Sequence, residues 1–164
     1  MTESAPQPFR PEDHSFGETR WFEDFEVGET FYIPSRTQTD ALFSAFQLAS
    51  GDNHPIHYDI EYCKRKGHKG MLAHAYQVMI QCCPGSGILP HVIGESLVAF
   101  IEASHKILGP VYNGNTLYPQ LEVVDLIAQN TTGIMVLRAT VHNQDGMLVN
   151  EGEQKLLLRK RPTE

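Results

Sequence analysis

Apolar and polar residues alternate through the second half of this chain. The pattern is rich in Val, Ile, Leu and Thr, and it covers four segments: ESLVAFIEASHKIL, NTLYPQLEVVDLIA, GIMVLRATVHN and GMLVNEGEQKLLLRK. Alternation of this kind predicts β-strands. The pair Asp145–Gly146, between the last two segments, predicts a tight hairpin. The second half is therefore predicted to form an antiparallel sheet.

The first half carries shorter signals. The segment FYIPS, residues 31–35, predicts a short strand. Thr39 and Asp40 predict the start of a helix, because short polar side chains accept hydrogen bonds from free N–H groups there, and apolar residues follow at helical spacing. A polar segment, IEYCKRK, predicts one more short helix.

Between these halves lies MLAHAYQVMIQCC, residues 71–83, which contains no Asp, Glu, Lys, Arg, Gly or Pro. A helix that is hydrophobic on all sides is buried on all sides. A sheet can bury one such helix by curling around it, so we predict an α+β fold with an antiparallel β-sheet wrapped around a long central α-helix. Open sheet edges would remain, which predicts a homodimer or a dimer of dimers.

The length of 164 residues corresponds to about one domain. Residues 1–19 are rich in Pro and poor in periodic apolar sequence, which predicts a flexible N-terminal arm, and residues 20–164 are predicted to form a single domain. The sequence contains no apolar run long enough to span a membrane and no signal-peptide pattern. Its three cysteines form no disulfide framework. These features favour a cytoplasmic protein.

The formal net charge of −7 argues against binding to nucleic acid. A local cluster, Lys64, Arg65 and Lys66, could still hold an anionic small molecule, although a solvated helix face is the alternative interpretation. No membrane partner is predicted.

The segment GDNHPIHYD, residues 51–59, carries the candidate chemistry. Asp52 and His57 are separated by Pro55, which stiffens the loop by fixing φ. A carboxylate and an imidazole held together can transfer protons near neutral pH. The alternative is a polar loop whose groups only satisfy one another.

Other chemistries have weaker signals. His54, His57, His68 and His74 could be considered as zinc ligands, but their spacing matches no compact ligand set, and we expect no metal. The sequence contains neither a G-x-S-x-G nucleophile motif nor a glycine-rich phosphate loop.

The segments SGDNHPIHYDIEYC and GMLAHAYQVM together resemble the MaoC-like dehydratases, which include the (R)-specific enoyl-CoA hydratases. Their motif runs Gly-Asp-x-Asn-Pro-hydrophobic-His, followed by a His-Gly element at the start of the central helix of the hot-dog fold. Two further segments, GPVYNGNTLYPQLEVV and VHNQDGMLVNEGEQKLLL, are similar to later strands of the family. The resemblance covers roughly residues 20–160.

The resemblance implies a hydro-lyase that hydrates an enoyl-CoA or related acyl thioester reversibly. It implies that Asp52 and His57 are catalytic and that the backbone N–H of Ala75 stabilises the thioester oxygen. His54, Pro55 and His74 would line the site, with His74 serving mainly to start the helix. No cofactor is implied beyond the coenzyme A of the substrate, for whose phosphates Lys64, Arg65 and Lys66 are candidates.

This sequence departs from the family pattern at three positions. His54 stands where the family has Asn, Ala75 where it has Gly, and Asn115 where it has Asp. Two other functions stay open: a hot-dog acyl-CoA thioesterase, although residues 71–83 lack the acidic residue that such enzymes place there, and a non-catalytic acyl-thioester-binding subunit.

Overall fold

The computed structural model describes residues 9–11, 14 and 17–163. Within them it has six strands and four α-helices. The strands are β1 (Thr30–Tyr32), β2 (Arg36–Thr37), β3 (Leu97–Ile107), β4 (Thr116–Ala128), β5 (Thr132–Asn143) and β6 (Leu148–Arg159). The helices are α1 (Asp40–Ser50), α2 (Ile60–Arg65), α3 (Ala75–Met79) and α4 (Leu89–Ile93).

All six strands belong to one antiparallel sheet. The order is β1-β4-β5-β6-β3. Strand β2 pairs with the first residues of β4, and β1 pairs with the residues of β4 that follow them. The β5–β6 hairpin turns at Gly146, where φ is 74°. The predicted antiparallel sheet and its final hairpin are therefore confirmed.

The sheet buries one face because its strands alternate. Along β5 the side chains of Met135, Leu137, Ala139 and Val141 are fully buried, and their counterparts on β4 and β6 lie on the same face. This face packs against α3, from which Val78 contributes to the same core. The α+β class, with a sheet wrapped on one helix, is thus confirmed.

The central helix is shorter than the predicted range of residues 71–83. It begins at Ala75, becomes a 3₁₀ turn at Ile80–Cys82, and is preceded by extended chain that bridges to Tyr112 through Leu72. The prediction that this helix is buried on all sides is also wrong for the single chain, because the side chains of Tyr76 and Ile80 are more than half exposed. The prediction failed because apolar residues lie on every side of this helix, although only one side faces the sheet. The opposite side is left uncovered in the single chain.

Helix α1 leads into the loop that carries Asp52 and His57. Thr39 Oγ1 accepts a hydrogen bond from the Leu42 N–H at the predicted helix start, and Phe43 anchors the helix in the interior. Gly51 ends the helix with φ at 68°, a left-handed conformation that suits glycine. A Cβ at this position would meet no atom within 4 Å, so the glycine is required by its backbone angle and not by a close contact.

The expected N-terminal arm, residues 1–19, lies largely outside the described residues. At its end, the Thr19 hydroxyl accepts a hydrogen bond from the Glu95 N–H, and the Arg20 N–H donates to the Val92 carbonyl. Among the described residues, no helix is long and apolar enough to cross a membrane.

Candidate active site

The loop between α1 and α2 folds around its own polar side chains. Asp52 Oδ1 accepts a hydrogen bond from the His54 N–H at 2.8 Å, and His54 Nδ1 accepts one from the Ile56 N–H at 3.2 Å. Pro55 begins a 3₁₀ turn, Pro55–His57, for which its fixed φ is suited. These contacts hold Asp52 and His57 on one rigid loop.

The structure fixes which nitrogen of His57 carries the proton. His57 Nδ1 lies 2.7 Å from the carbonyl oxygen of Leu72, which can only accept a hydrogen bond. Nδ1 is therefore the protonated nitrogen of the neutral ring, and Nε2 keeps its lone pair. The Leu72 carbonyl is itself held in place, because the next residue, Ala73, donates its N–H to Val111.

His74 has the opposite tautomer. It caps α3, and its Nδ1 accepts a hydrogen bond from the Tyr76 N–H at 3.1 Å. Nε2 must then carry the proton of the neutral ring, and it lies 2.8 Å from Asp52 Oδ2, to which it donates. The ring stacks on Phe46, with the two centroids 5.2 Å apart, and the His57 ring lies 5.1 Å away.

Asp52 sits among hydrogen-bond donors and imidazoles. The hydrogen bond from the His54 backbone lowers the pKa of Asp52, and His74 and His57 lower it further. Asp52 is thus an ionised hydrogen-bond acceptor near neutral pH. Burial, and after it the charge of Asp52, raises the pKa of the neighbouring Tyr58.

Ala75 offers a backbone donor directly after His74 in the chain. It is the first residue of α3, and its N–H has no hydrogen-bond acceptor in the described part of the chain. With α3 only five residues long, a large helix dipole is not available, and the Ala75 N–H is a single donor group.

The same side chains resemble a metal site. One ligand atom from each of Asp52, His57 and His74 lies within 4.8 Å of the other two. A histidine binds a metal through a lone pair, however, and the Tyr76 N–H already occupies the lone pair on Nδ1 of His74. Its Nε2 is protonated and engaged with Asp52, so this arrangement does not fit a metal ion.

The side chain of Tyr62 contacts both the basic cluster and the loop that carries Asp52 and His57. The Arg65 guanidinium lies 6.0 Å and the Lys66 ammonium 5.8 Å from the centroid of the Tyr62 ring. The Tyr62 ring is nearly perpendicular to the His54 ring, with the two centroids 5.9 Å apart. Lys64 is paired with Glu61 at the surface. Two of the three predicted cations are therefore free of carboxylate partners in the described structure.

The structure brings together Asp52, His57 and His74, which the sequence placed in the candidate site, but their hydrogen bonds differ from those expected. The side-chain hydrogen-bond partner of Asp52 is His74, whose predicted role was mainly to start the helix. The carbonyl of Leu72 and the stacked ring of Phe46 were missed. A main-chain carbonyl leaves no trace in residue identity, and the helical spacing of Phe46 predicts an apolar position of α1 but not its contact with His74.

Comparison with known protein families identifies the family of this chain. The family model for the FAS1-like dehydratase domain region matches residues 27–151, about three quarters of the chain. The chain belongs to the MaoC-like dehydratase family. The matched region contains the entire Asp52–His57–His74 cluster.

Solved structures share the architecture of this MaoC-like chain. A monoamine oxidase regulatory protein from Archaeoglobus fulgidus is 26% identical with a TM-score of 0.82, covering 88% of this chain and 97% of its own. The Mycobacterium tuberculosis protein Rv0216, described as a double hotdog fold, is 25% identical with a TM-score of 0.77, covering 89% of this chain and 46% of its own.

An (R)-hydratase, PhaJ1 from Pseudomonas aeruginosa, is 22% identical with a TM-score of 0.73, covering 86% of each chain. At that identity the likeness concerns the fold. A search of curated proteins found no match to this sequence.

Proposed function

We propose that this protein is a hydro-lyase that adds water reversibly to the double bond of an enoyl-CoA or a related acyl thioester. The observation that carries the proposal is the lone pair on His57 Nε2, left free by the bond from Nδ1 to Leu72 and held beside the ionised Asp52. One base and one acceptor on a stiff loop are what activation of a water molecule requires. Membership of a family of hydratases and dehydratases supports the same reaction.

In the hydration direction, His57 Nε2 takes a proton from water while Asp52 accepts the other O–H as a hydrogen bond. The water oxygen forms a bond to Cβ, and the π electrons move towards the thioester carbonyl. The Ala75 N–H donates to the oxygen that gains negative charge, a contribution of roughly 3 kcal/mol for one such donor. The proton on His57 then passes to Cα, which completes the addition. No cofactor is needed beyond the coenzyme A that the substrate carries.

The basic cluster is the proposed site for the phosphates of coenzyme A. Arg65 and Lys66 have no carboxylate partner among the described residues, and Tyr62 links them to His54 at the loop. Lys64 is already paired with Glu61 and would add only a more distant charge.

A second copy of this chain is the proposed partner. Strand β3 forms one edge of the sheet, and large apolar side chains along it are about half exposed: Leu97, Val98, Phe100, Ile101 and Ile107. An open, apolar edge strand favours pairing with another strand. A symmetric dimer would cover both the edge and these side chains.

One alternative has a specific observation behind it. The Archaeoglobus relative is named as a regulatory protein, and its resemblance supports a non-catalytic acyl-thioester-binding subunit as the second candidate. A thioesterase is disfavoured, because the segment from Ala75 to Cys82 carries no carboxylate.

The test is a panel of trans-2-enoyl-CoA substrates, with loss of the conjugated double bond and release of free thiol measured in the same sample. We expect loss of the double bond without thiol release. Thiol release would indicate a thioesterase, and binding without either change would indicate the non-catalytic subunit.

Variants then assign the residues. Asp52→Asn and His57→Ala should each lower kcat by at least about 100-fold, and the double variant should lose far less than the product, because the two groups act as a unit. His68→Ala is the matched control, since His68 lies in the same region but outside the cluster. A folded single variant with near-normal kcat would refute the assignment, and activity lost on adding a chelator would contradict the metal-free mechanism.

A further inference from the structure

The contact between His74 and Asp52 is the most specific feature of the site that the proposed mechanism does not use. It joins two residues that are 22 positions apart, one on the loop after α1 and the other at the start of α3. Both nitrogens of His74 are engaged, Nδ1 by the Tyr76 N–H and Nε2 by Asp52.

Each engagement restricts the other. A backbone N–H can only donate, so Nδ1 must accept, and the proton of the neutral ring is confined to Nε2. Nε2 can then only donate, and the acceptor in front of it is Oδ2 of Asp52. The beginning of α3 therefore determines the direction of the hydrogen bond that reaches the carboxylate.

The ring itself cannot turn away easily. Phe46 stacks on it at a centroid distance of 5.2 Å, and Tyr76 stacks on it at 5.6 Å with the planes inclined by 13°. About 18% of the His74 side chain is exposed, against 31% for Asp52. The imidazole thus stacks against two aromatic rings, while its Nε2 points to the carboxylate.

We propose that His74 is the positioning residue of this site: the start of α3 fixes its tautomer, and the fixed N–H holds the Asp52 carboxylate aimed at the water. This role rests on the proposed function and deepens it. His74 does not touch the reacting atoms in this assignment; it acts through Asp52, whose other oxygen is held by the His54 N–H.

The consequence is electrostatic as well as geometric. His54 through its backbone, and His74 and His57 through their rings, lower the pKa of Asp52. Within the described part of the chain, Tyr58 is the further titratable group that interacts with this carboxylate. Removing the donor from position 74 should therefore raise the pKa of Asp52 towards its ordinary value. As the pH is lowered, such a variant should therefore lose its activity at a higher pH than the wild type does.

Two substitutions separate the role of His74 towards Asp52 from its role as a helix cap. In His74→Asn, the side-chain oxygen occupies about the place of Nδ1 and can accept from the Tyr76 N–H, since Asn is a favoured N-cap residue, but no atom reaches Asp52. In His74→Gln, the side-chain amide extends to about the place of Nε2 and can donate to Asp52, while the cap is lost.

Three quantities are measured on the full chain: the melting temperature, the pH profile of kcat/KM with the best enoyl-CoA, and the titration of the Asp52 carboxyl by ¹³C NMR. The NMR signal is assigned by its loss in Asp52→Asn. We expect His74→Asn to keep the melting temperature, to lose kcat by about 10–100-fold as a misaligned group does, and to titrate Asp52 at higher pH. We expect His74→Gln to melt lower and to retain more activity and the wild-type titration of Asp52.

An Asn variant with normal kcat and an unchanged Asp52 titration would show that His74 only caps the helix, and the inference would be overturned. Equal losses of activity in both variants that follow their melting temperatures would overturn it as well. If the Asn variant does not fold, the Gln variant decides, because an Asp52 titration shifted upward there contradicts the assignment. A wild-type protein that hydrates no enoyl-CoA would refute the proposed function, while the NMR titration would still decide the role of His74.

Discussion

At position 54 the backbone and the side chain do different things. The His54 N–H holds Asp52 Oδ1 and is the main cause of the lowered pKa of that carboxyl, whereas the imidazole accepts from the Ile56 N–H and contacts the rings of His57 and Tyr62. The departure from Asn at this position therefore leaves the bond to Asp52 intact.

We expect His54→Asn to change kcat by only a few fold, because Asn supplies the same N–H and a side-chain oxygen that can accept from Ile56. His54→Ala should also keep the bond to Asp52 and lose only the small stabilisation of the turn. Rates of enoyl-CoA hydration for the two variants check this. Complete loss of activity in a folded His54→Asn protein would mean that the imidazole itself takes part in the reaction.

The candidate residues could be found from the sequence to different degrees. Asp52 and His57 stand in one short motif with a stiffening proline, so local sequence was enough to select them. The pairing of Asp52 with His74 was not predictable, because it depends on where the chain returns after α2. The tautomers of His57 and His74 depend on main-chain atoms, which residue identity does not encode.

At the scale of elements, the join between α1 and the loop depends on Gly51. Its φ of 68° is a conformation in which an L side chain is strained, while the space around it is open. Gly51→Ala should therefore lower the free energy of unfolding by about 1–2 kcal/mol. Gly51→Asn should cost less, because Asn tolerates the left-handed region better than Ala does.

Chemical denaturation of the three proteins measures this difference. Equal stability of the Ala variant and the wild type would show that the loop relaxes to another conformation. In that event the hydration rate of the Ala variant would report whether Asp52 moved with the loop.

The strands were predicted well and the central helix less well, for a physical reason. In β5 the alternation of buried and exposed residues is produced by the pleat, so the sequence records the orientation of each side chain. In residues 71–83 the apolar side chains face both the sheet and an uncovered surface. The sequence therefore carried no signal for the extended segment at Leu72 or for the change to a 3₁₀ turn at Ile80.

On the scale of the whole molecule, the uncovered edge at β3 predicts the oligomeric state. We expect the wild type to sediment at twice its 18.4 kDa mass, and Ile101→Asp to shift it towards the monomer, because a charge would be buried in the paired edge. Leu48→Asp is the matched control, since Leu48 is 87% exposed on α1 and away from that edge. A monomeric wild type at micromolar concentration would contradict the proposed dimer.

The sheet interior also predicts an acid-sensitive stability. His105 is flanked by the amides of Asn150 and Gln154, at 3.1 Å from Nδ1 and 3.2 Å from Nε2. Burial lowers the pKa of His105, and the hydrogen bond to Asn150 offsets this in part. Between the lowered pKa and the ordinary value of about 6.5, the unfolded chain binds more protons than the folded one.

The contribution of His105 is therefore complete above about pH 6.5 and is lost as the pH falls towards the lowered pKa. The melting temperature of the wild type should fall more steeply between about pH 7 and pH 5 than that of His105→Gln, which does not titrate. If the melting temperatures of the two proteins fall in parallel as the pH is lowered, groups other than His105 cause the loss of stability in acid.

The carbonyl of Leu72 has a consequence for how this site can vary over evolution. Its oxygen selects the tautomer of His57, yet every amino acid carries the same oxygen. Substitutions at position 72 other than proline, which would remove the N–H that donates to the Ile56 carbonyl, can therefore accumulate without a chemical penalty, provided that they fit beside Tyr112. A proline at position 73, by contrast, would remove the N–H that ties this segment to Val111 and would disturb the imidazole from a residue that never touches it. A deep mutational scan should thus find position 72 tolerant and proline at its neighbour harmful, and an alignment of relatives would pass over the atom on which the base depends.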